Sequence, residues 1–189
     1  MLRLIAADSW RMEVLRTVGA LALPDCWIGA GFVRALVWDC LHGYDRPTPL
    51  DDVDVIYFDA EKTESAEDRR HENSLRALWP AGSPAVPWSV KNQARMHKKN
   101  SDAPYRNTSD ALCHWLETPT AVAVRTDGDG RLELMAPLGL DDLLAMRVAP
   151  TLHALSRRMA AYRERVLSKS WARQWPLLEV RIPDGSLFG

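Results

Sequence analysis

The chain has 189 residues, of which 47 % are apolar and 26 % charged. That balance suits one globular domain and excludes disorder, collagen or coiled coil as a description of the whole chain. Lys and Arg number 24 against 25 Asp and Glu, a net charge of −1, which argues against a nucleic-acid coat or a polybasic membrane binder. No apolar run approaches the ~20 residues that span a bilayer, and the first residues carry no run of signal-peptide length. Cys26, Cys40 and Cys113 are odd in number and too widely spaced for a disulfide framework or a zinc motif. They are expected as buried, reduced thiols in a cytoplasmic protein.

In chain order, the spacing of Trp10, Val14, Leu15, Val18 and Leu21 predicts a helix, with Asp8 or Ser9 to cap it and Pro24 beyond its end. A short apolar strand at Cys26-Trp27-Ile28 leads through Gly29-Ala30-Gly31 into a second helix, whose Phe32, Leu36 and Cys40 share a face. His42 to Pro49 is a loop. Val53 to Phe58 is the clearest strand, rich in β-branched and aromatic residues. A polar helix is expected from Glu61 to Leu78 and a short strand at Trp88-Ser89-Val90, with an irregular basic stretch from Lys91 to Tyr105. A helix over Asp110–Glu117 precedes a hairpin of Ala121–Val124 and Leu132–Met135 around Asp127-Gly128-Asp129-Gly130. Helices are expected again at Gly139–Arg147 and Leu155–Trp171. The mixture gives an α/β (α+β) class with a small mixed sheet flanked by helices. One domain is expected over residues 1–180, with a flexible tail over 181–189.

Asp52-Val53-Asp54-Val55 carries the sharpest chemical signal. Strand side chains alternate, so both carboxylates face one way, ~7 Å apart along the strand, while Val53 and Val55 enter the core. Two such acids repel unless a cation lies between them. Hard oxygen donors suit Mg²⁺, which keeps waters and substrate phosphates as its remaining ligands. Asp-x-Asp alone would sooner describe a solvated strand edge with two exposed acids. Some twenty residues upstream, however, Gly29-Ala30-Gly31 opens a helix directly after a strand, and small residues there let backbone N–H groups approach a phosphate at the positive end of the helix dipole. Neither a P-loop nor a Rossmann glycine pattern is present.

Trp27-Ile28-Gly29-Ala30-Gly31-Phe32-Val33-Arg34 followed by Leu50-Asp51-Asp52-Val53-Asp54-Val55 resembles the signature of the DNA polymerase β-like nucleotidyltransferase superfamily. The Val33-Arg34 segment is similar to the head-domain motif of tRNA CCA-adding enzymes, with Ala35 where those carry an acid. Trp88 to His97, Ala136 to Leu143, and Tyr162-Arg163-Glu164-Arg165-Val166 through Trp175-Pro176 are similar to a bacterial nucleotidyltransferase-like family of unknown substrate, a resemblance that runs from about Trp10 to Val180.

The resemblance implies transfer of an NMP unit from an NTP to an acceptor, with Mg²⁺ or Mn²⁺ on Asp52 and Asp54. The acceptor would be a small molecule, a protein side chain or an RNA end. It also implies a third metal carboxylate on the neighbouring strand, where this chain has Ser89. A hydroxyl supplies no such charge, which leaves a non-catalytic nucleotide-binding module as the alternative; Glu133 or Asp51 could stand in. Gly29, Ala30, Gly31, Arg34, Ser89, Lys91 and Arg95 are the expected nucleotide contacts. Lys91 and Arg95 belong to the one dense basic run, which reads equally as a solvated loop. The five histidines show no metal spacing, and His42 and His114 are expected to be structural.

Overall fold

The computed structural model of the chain describes residues 1–183. Its centre is a five-stranded sheet made of β1 (Trp27–Gly29), β2 (Val53–Tyr57), β3 (Trp88–Asn92), β4 (Ala123–Thr126) and β5 (Leu132–Met135), in the spatial order β3-β2-β1-β4-β5. All pairs are antiparallel except β2 and β3, which run parallel and are joined by the crossover helix α4 (Ser65–Leu78). The expected mixed sheet and the expected hairpin are both present. A second, two-stranded parallel sheet pairs β6 (Arg147–Val148) with β7 (Glu179–Val180).

The helices are α1 (Leu2–Ala7), α2 (Ser9–Gly19), α3 (Gly31–Leu41), α4, α5 (Met96–Asn100), α6 (Thr108–Cys113), α7 (Asp141–Leu144), α8 (Leu152–Arg157), α9 (Met159–Lys169) and α10 (Trp171–Gln174). Asp8 caps α2, as its sequence suggests, by accepting from the Arg11 N–H at 2.9 Å. One face of the sheet presents Ile28, Val53, Val55, Val90 and Val124, all fully buried, to a core that also holds Val14, Phe32, Val33, Trp38 and Leu75 from α2, α3 and α4. Burial on this scale stabilises by about 1.5–3 kcal/mol per large apolar side chain. The opposite face has only a small cluster of Trp27, Ile56 and Ala123 with Leu112 of α6.

Several elements differ from their sequence patterns. The basic stretch after Val90 is ordered: β3 continues to Asn92, whose side chain accepts from the Ala94 N–H at 3.0 Å and caps a short 3₁₀ turn into α5. The helix expected over Gly139–Arg147 shrinks to α7, because Met146 takes a left-handed conformation (φ 52°) and Arg147 joins β6. The long helix expected over Leu155–Trp171 is broken at Arg158 and again at Ser170 (φ 48°). Neither glycine nor proline marks these breaks. They set Tyr162 so that its hydroxyl donates to the Arg181 carbonyl at 2.5 Å, packing α9 against the end of the chain. Of the tail expected over 181–189, residues 184–189 lie outside the described residues, and the Arg181 N–H donates to Val148 O at 2.8 Å. The three cysteines are free, but Cys40 is exposed and Cys26 and Cys113 only partly buried, a correction to the expected buried thiols: Cys40 lies on the solvent side of the last turn of α3.

Candidate active site

The site is built on the sparsely covered face of the sheet. Asp54 is the second residue of β2, in register with Gly29 of β1 on one side and Ser89 of β3 on the other. Val53 and Val55 are fully buried behind it. Asp52, just before the strand, faces the same small cavity of about 90 Å³ as Asp54, together with Ala30, Gly31, Arg34 and Arg165. Burial pushes the Asp54 carboxyl up to about 6, and the neighbouring Asp52 charge adds to the rise; the Ser89 hydroxyl and the Arg165 and Arg34 guanidiniums oppose it. An acid held above its ordinary value by burial and by a second acid is a position that a cation relieves.

The glycine turn works differently from its sequence reading. Neither Gly29 nor Gly31 has a positive φ; the left-handed residue is Ala30, at φ 51° and ψ −122°. A non-glycine residue there costs on the order of 1–3 kcal/mol and persists only where the surroundings enforce it. Here the Ala30 N–H donates to Val122 O at 3.1 Å, and its carbonyl receives the N–H groups of Val33 and Arg34. Gly29 is needed for space instead, since a Cβ would stand 3.2 Å from the Trp115 ring and 3.3 Å from Val122 O. The turn leaves the first N–H group of α3, at Gly31, without an intrahelical acceptor at the rim of the aspartate cavity.

Arg34 is 8 % exposed and lies between two indoles, its guanidinium carbon 5.1 Å from the Trp38 ring and 4.6 Å from the Trp171 ring. Burial lowers its pKa to about 10, so it remains charged at neutral pH, and its Nε is buried without a partner. Helix α9 delivers two further cations four residues apart, hence on one helix face. Arg165 Nε is 2.7 Å from Glu117 Oε1, and Lys169 Nζ is 2.9 Å from Asp51 Oδ2. Glu117 is buried and also accepts from Thr120 Oγ1 at 2.9 Å. A larger cavity of about 240 Å³ adjoins the first, sharing Ala30, Asp54 and Arg165 with it and reaching Lys91, Tyr105, His114 and Glu117.

The structure therefore brings together Asp52, Asp54, Ala30, Gly31 and Arg34 around one cavity, with Gly29 and Ser89 flanking Asp54 and Lys91 on the adjoining cavity. It does not bring Arg95 to them. The Arg95 guanidinium pairs with buried Asp68 of α4, which also accepts from Tyr57 Oη at 3.0 Å and from the Asn92 N–H at 3.1 Å. Glu133 is no substitute third acid, because it pairs with Arg125 at the opposite end of the β4–β5 hairpin from the site. In line with Asp54 and Gly29, across β4, stand Ala123 and Met135. Asp51 does line the smaller cavity, tied to Lys169. Glu117, Arg165 and Lys169 are the residues that the sequence motifs missed. The four-residue spacing of Arg165 and Lys169 beside core Tyr162 and Val166 was the available signal.

Residues 16–180 match the nucleotidyltransferase family. The chain belongs to that family. A solved structure reported to reveal a CCA-adding enzyme head domain is similar throughout, at 32 % identity and a TM-score of 0.84 over 96 % of this chain and 94 % of that one. The CCA-adding enzyme of Thermotoga maritima, solved with tRNA, shares the fold at 12 % identity and a TM-score of 0.56, over 95 % of this chain and 42 % of that one. A CCA-adding enzyme in an apo form aligns at 13 % identity and 0.54, over 90 % and 38 %. This nucleotidyltransferase thus spans about two fifths of those two enzymes. No curated protein matches it. Among its described residues, no helix is long and apolar enough to cross a membrane.

Proposed function

We propose that this nucleotidyltransferase moves an NMP unit from an NTP to an acceptor hydroxyl, with Mg²⁺ or Mn²⁺ held by Asp52 and Asp54. The observation that carries the reading is the pairing of opposite charges in one small space. Three carboxylates, Asp51, Asp52 and Asp54, and the cations Arg34, Arg165 and Lys169 all line the same cavity, a set complementary to a metal-bound triphosphate. The oxygen-only donors and the raised Asp54 carboxyl fit a hard divalent cation. Such a metal, when bound, would polarise the α-phosphate and stabilise departing pyrophosphate.

The chain's own residues do the positioning. The free Gly31 N–H at the start of α3 and the Arg34 guanidinium, fixed between its indoles, hold phosphate oxygens without having to reorganise as charge develops. Arg165, anchored on Glu117, stands where the two cavities meet, so the acceptor enters through the larger one toward Asp54. Ser89 in register with Asp54 favours the second reading, a nucleotide-binding module in which the metal that activates the acceptor is weakly held. Pyrophosphate release from each of the four NTPs, with Mg²⁺ or Mn²⁺, decides between them. On the transfer reading the native chain turns over slowly, Asp52→Asn abolishes turnover, and Ser89→Glu raises it about tenfold for each ~1.4 kcal/mol recovered. NTP binding without release in any variant supports the binding module. Absence of both binding and release rejects both readings.

A further inference from the structure

We propose that Asp102, His114 and His153 form a second metal site, for a borderline transition-metal dication of the Zn²⁺ type, distinct from the aspartate pair on β2. The three residues come from three places: the turn after α5, the end of α6 and the first turn of α8. Folding brings one ligand atom of each within 4.8 Å of the others. Donors around a single ion lie about 3.3 Å apart for bonds of ~2.0–2.1 Å, so a small rearrangement completes the triad, the ion parting the 2.7 Å contact of His153 with Asp102 while the remaining donor draws in.

The surroundings are those of ligands already oriented. Asp102 is only 4 % exposed and His153 12 %. His153 Nε2 lies 2.7 Å from Asp102 Oδ1, and Asp102 Oδ2 accepts from Tyr105 Oη at 2.7 Å. The Tyr105 hydroxyl in turn accepts from Asn100 Nδ2 at 2.9 Å. His114 Nδ1 is 2.9 Å from the Asp110 carbonyl. Donation there leaves the Nε2 lone pair available, the arrangement by which proteins fix a ligating histidine. The two imidazoles face each other with centroids 4.7 Å apart at 61°. His153 Nδ1 is buried with no partner, so hydrogen bonding within the protein does not account for both nitrogens of that ring.

Donor chemistry separates this site from the aspartates. Two imidazoles and one carboxylate suit Zn²⁺, Co²⁺ or Ni²⁺, whereas Mg²⁺ prefers oxygen alone. His114 and Tyr105 line the 240 Å³ cavity that reaches Asp54, so the fourth position opens to that cavity, as in sites that keep a water or a substrate atom. The ion would fasten the turn after α5 and the end of α6 to α8, where no strand supports the cavity wall.

The test uses the full chain stripped with chelator and titrated with Co²⁺, then Zn²⁺. We expect one Co²⁺ per chain with the intense visible absorption of a tetrahedral complex, displaced by Zn²⁺ and unaffected by excess Mg²⁺. Asp54→Asn should leave it intact, and His114→Gln and His153→Gln should each weaken it by about tenfold or more. Bound Zn²⁺ should raise the melting temperature of the native chain but not of His114→Gln. That variant changes a partly exposed side chain, so the melting test stands even if His153→Gln fails to fold. No uptake by the folded native chain overturns the proposal. So does uptake abolished by Asp54→Asn and indifferent to His114→Gln.

Discussion

The two faces of the central sheet are built from the same strands and do opposite work. On one, Ile28, Val53, Val55, Val90 and Val124 are fully buried beneath the helices. On the other, their neighbours Gly29, Asp54 and Ser89 stand side by side in register, and Asp54 lines both cavities. A period of two lets one residue step separate stability from chemistry. The apolar face holds β2 in place, and a strand held that firmly can carry a carboxylate whose ionisation burial disfavours.

The comparison breaks most sharply at adjacent positions of β2. Asp54→Asn should lower NTP turnover by about 10³-fold or more, equivalent to ~4 kcal/mol of barrier. In the metal-free protein at pH 7 the same change should raise stability by on the order of 1–3 kcal/mol, because it removes an unfavourable buried charge. Val55→Ala should do the reverse, costing about 2 kcal/mol of folding stability through an unfilled core space while the folded fraction keeps its nucleotide affinity. Chemical denaturation beside steady-state assays measures both.

A titration sharpens the contrast. The folded-state pKa of Asp54, about 6, lies above its ordinary value of 3.8, so the stability that its protonated form contributes is complete below about pH 4 and lost as pH rises through about 6. Melting temperatures of the metal-free chain should fall across that window, and Asp54→Asn should flatten this part of the profile. Mg²⁺ should recover more stability at pH 7 than at pH 5. The smallest effect is expected at Glu133→Gln, which removes a half-exposed ion pair with Arg125. It should cost under about 1 kcal/mol and leave turnover unchanged, whereas a loss of turnover would put Glu133 back in the site.

Much of the site was legible because it depends on local rules. Alternation along a strand put Asp54 opposite Val53 and Val55, and glycines after an apolar run marked the start of α3. What stayed hidden depends on distant chain segments or on crowding. The positive φ falls on Ala30 rather than on a glycine, because the Val122 carbonyl fixes the turn. Arg95 carries the charge expected of a phosphate contact, but buried Asp68 claims it. Glu117 and Arg165 lie 48 residues apart in the chain and meet only through the packing of α9. Asp102, His114 and His153 have no spacing that a metal motif would show. The breaks at Arg158 and Ser170 lack the usual proline or glycine, so periodicity alone merged α8, α9 and α10.

The position of Arg34 has a consequence for the order in which the protein becomes competent as it leaves the ribosome. The glycine turn, α3 and both aspartates emerge within the first third of the chain, yet one of the two indoles enclosing Arg34 belongs to Trp171. Asp39, on the next turns of α3, likewise waits for Trp175, whose indole N–H donates to it at 2.7 Å. Until those residues emerge, the arginine lacks one aromatic wall and keeps the rotational freedom of an ordinary surface side chain. A nascent chain paused before residue 171 would carry Asp52 and Asp54 without the rigid cation that faces them, so the charge pattern of the cavity is complete only after that residue has been made.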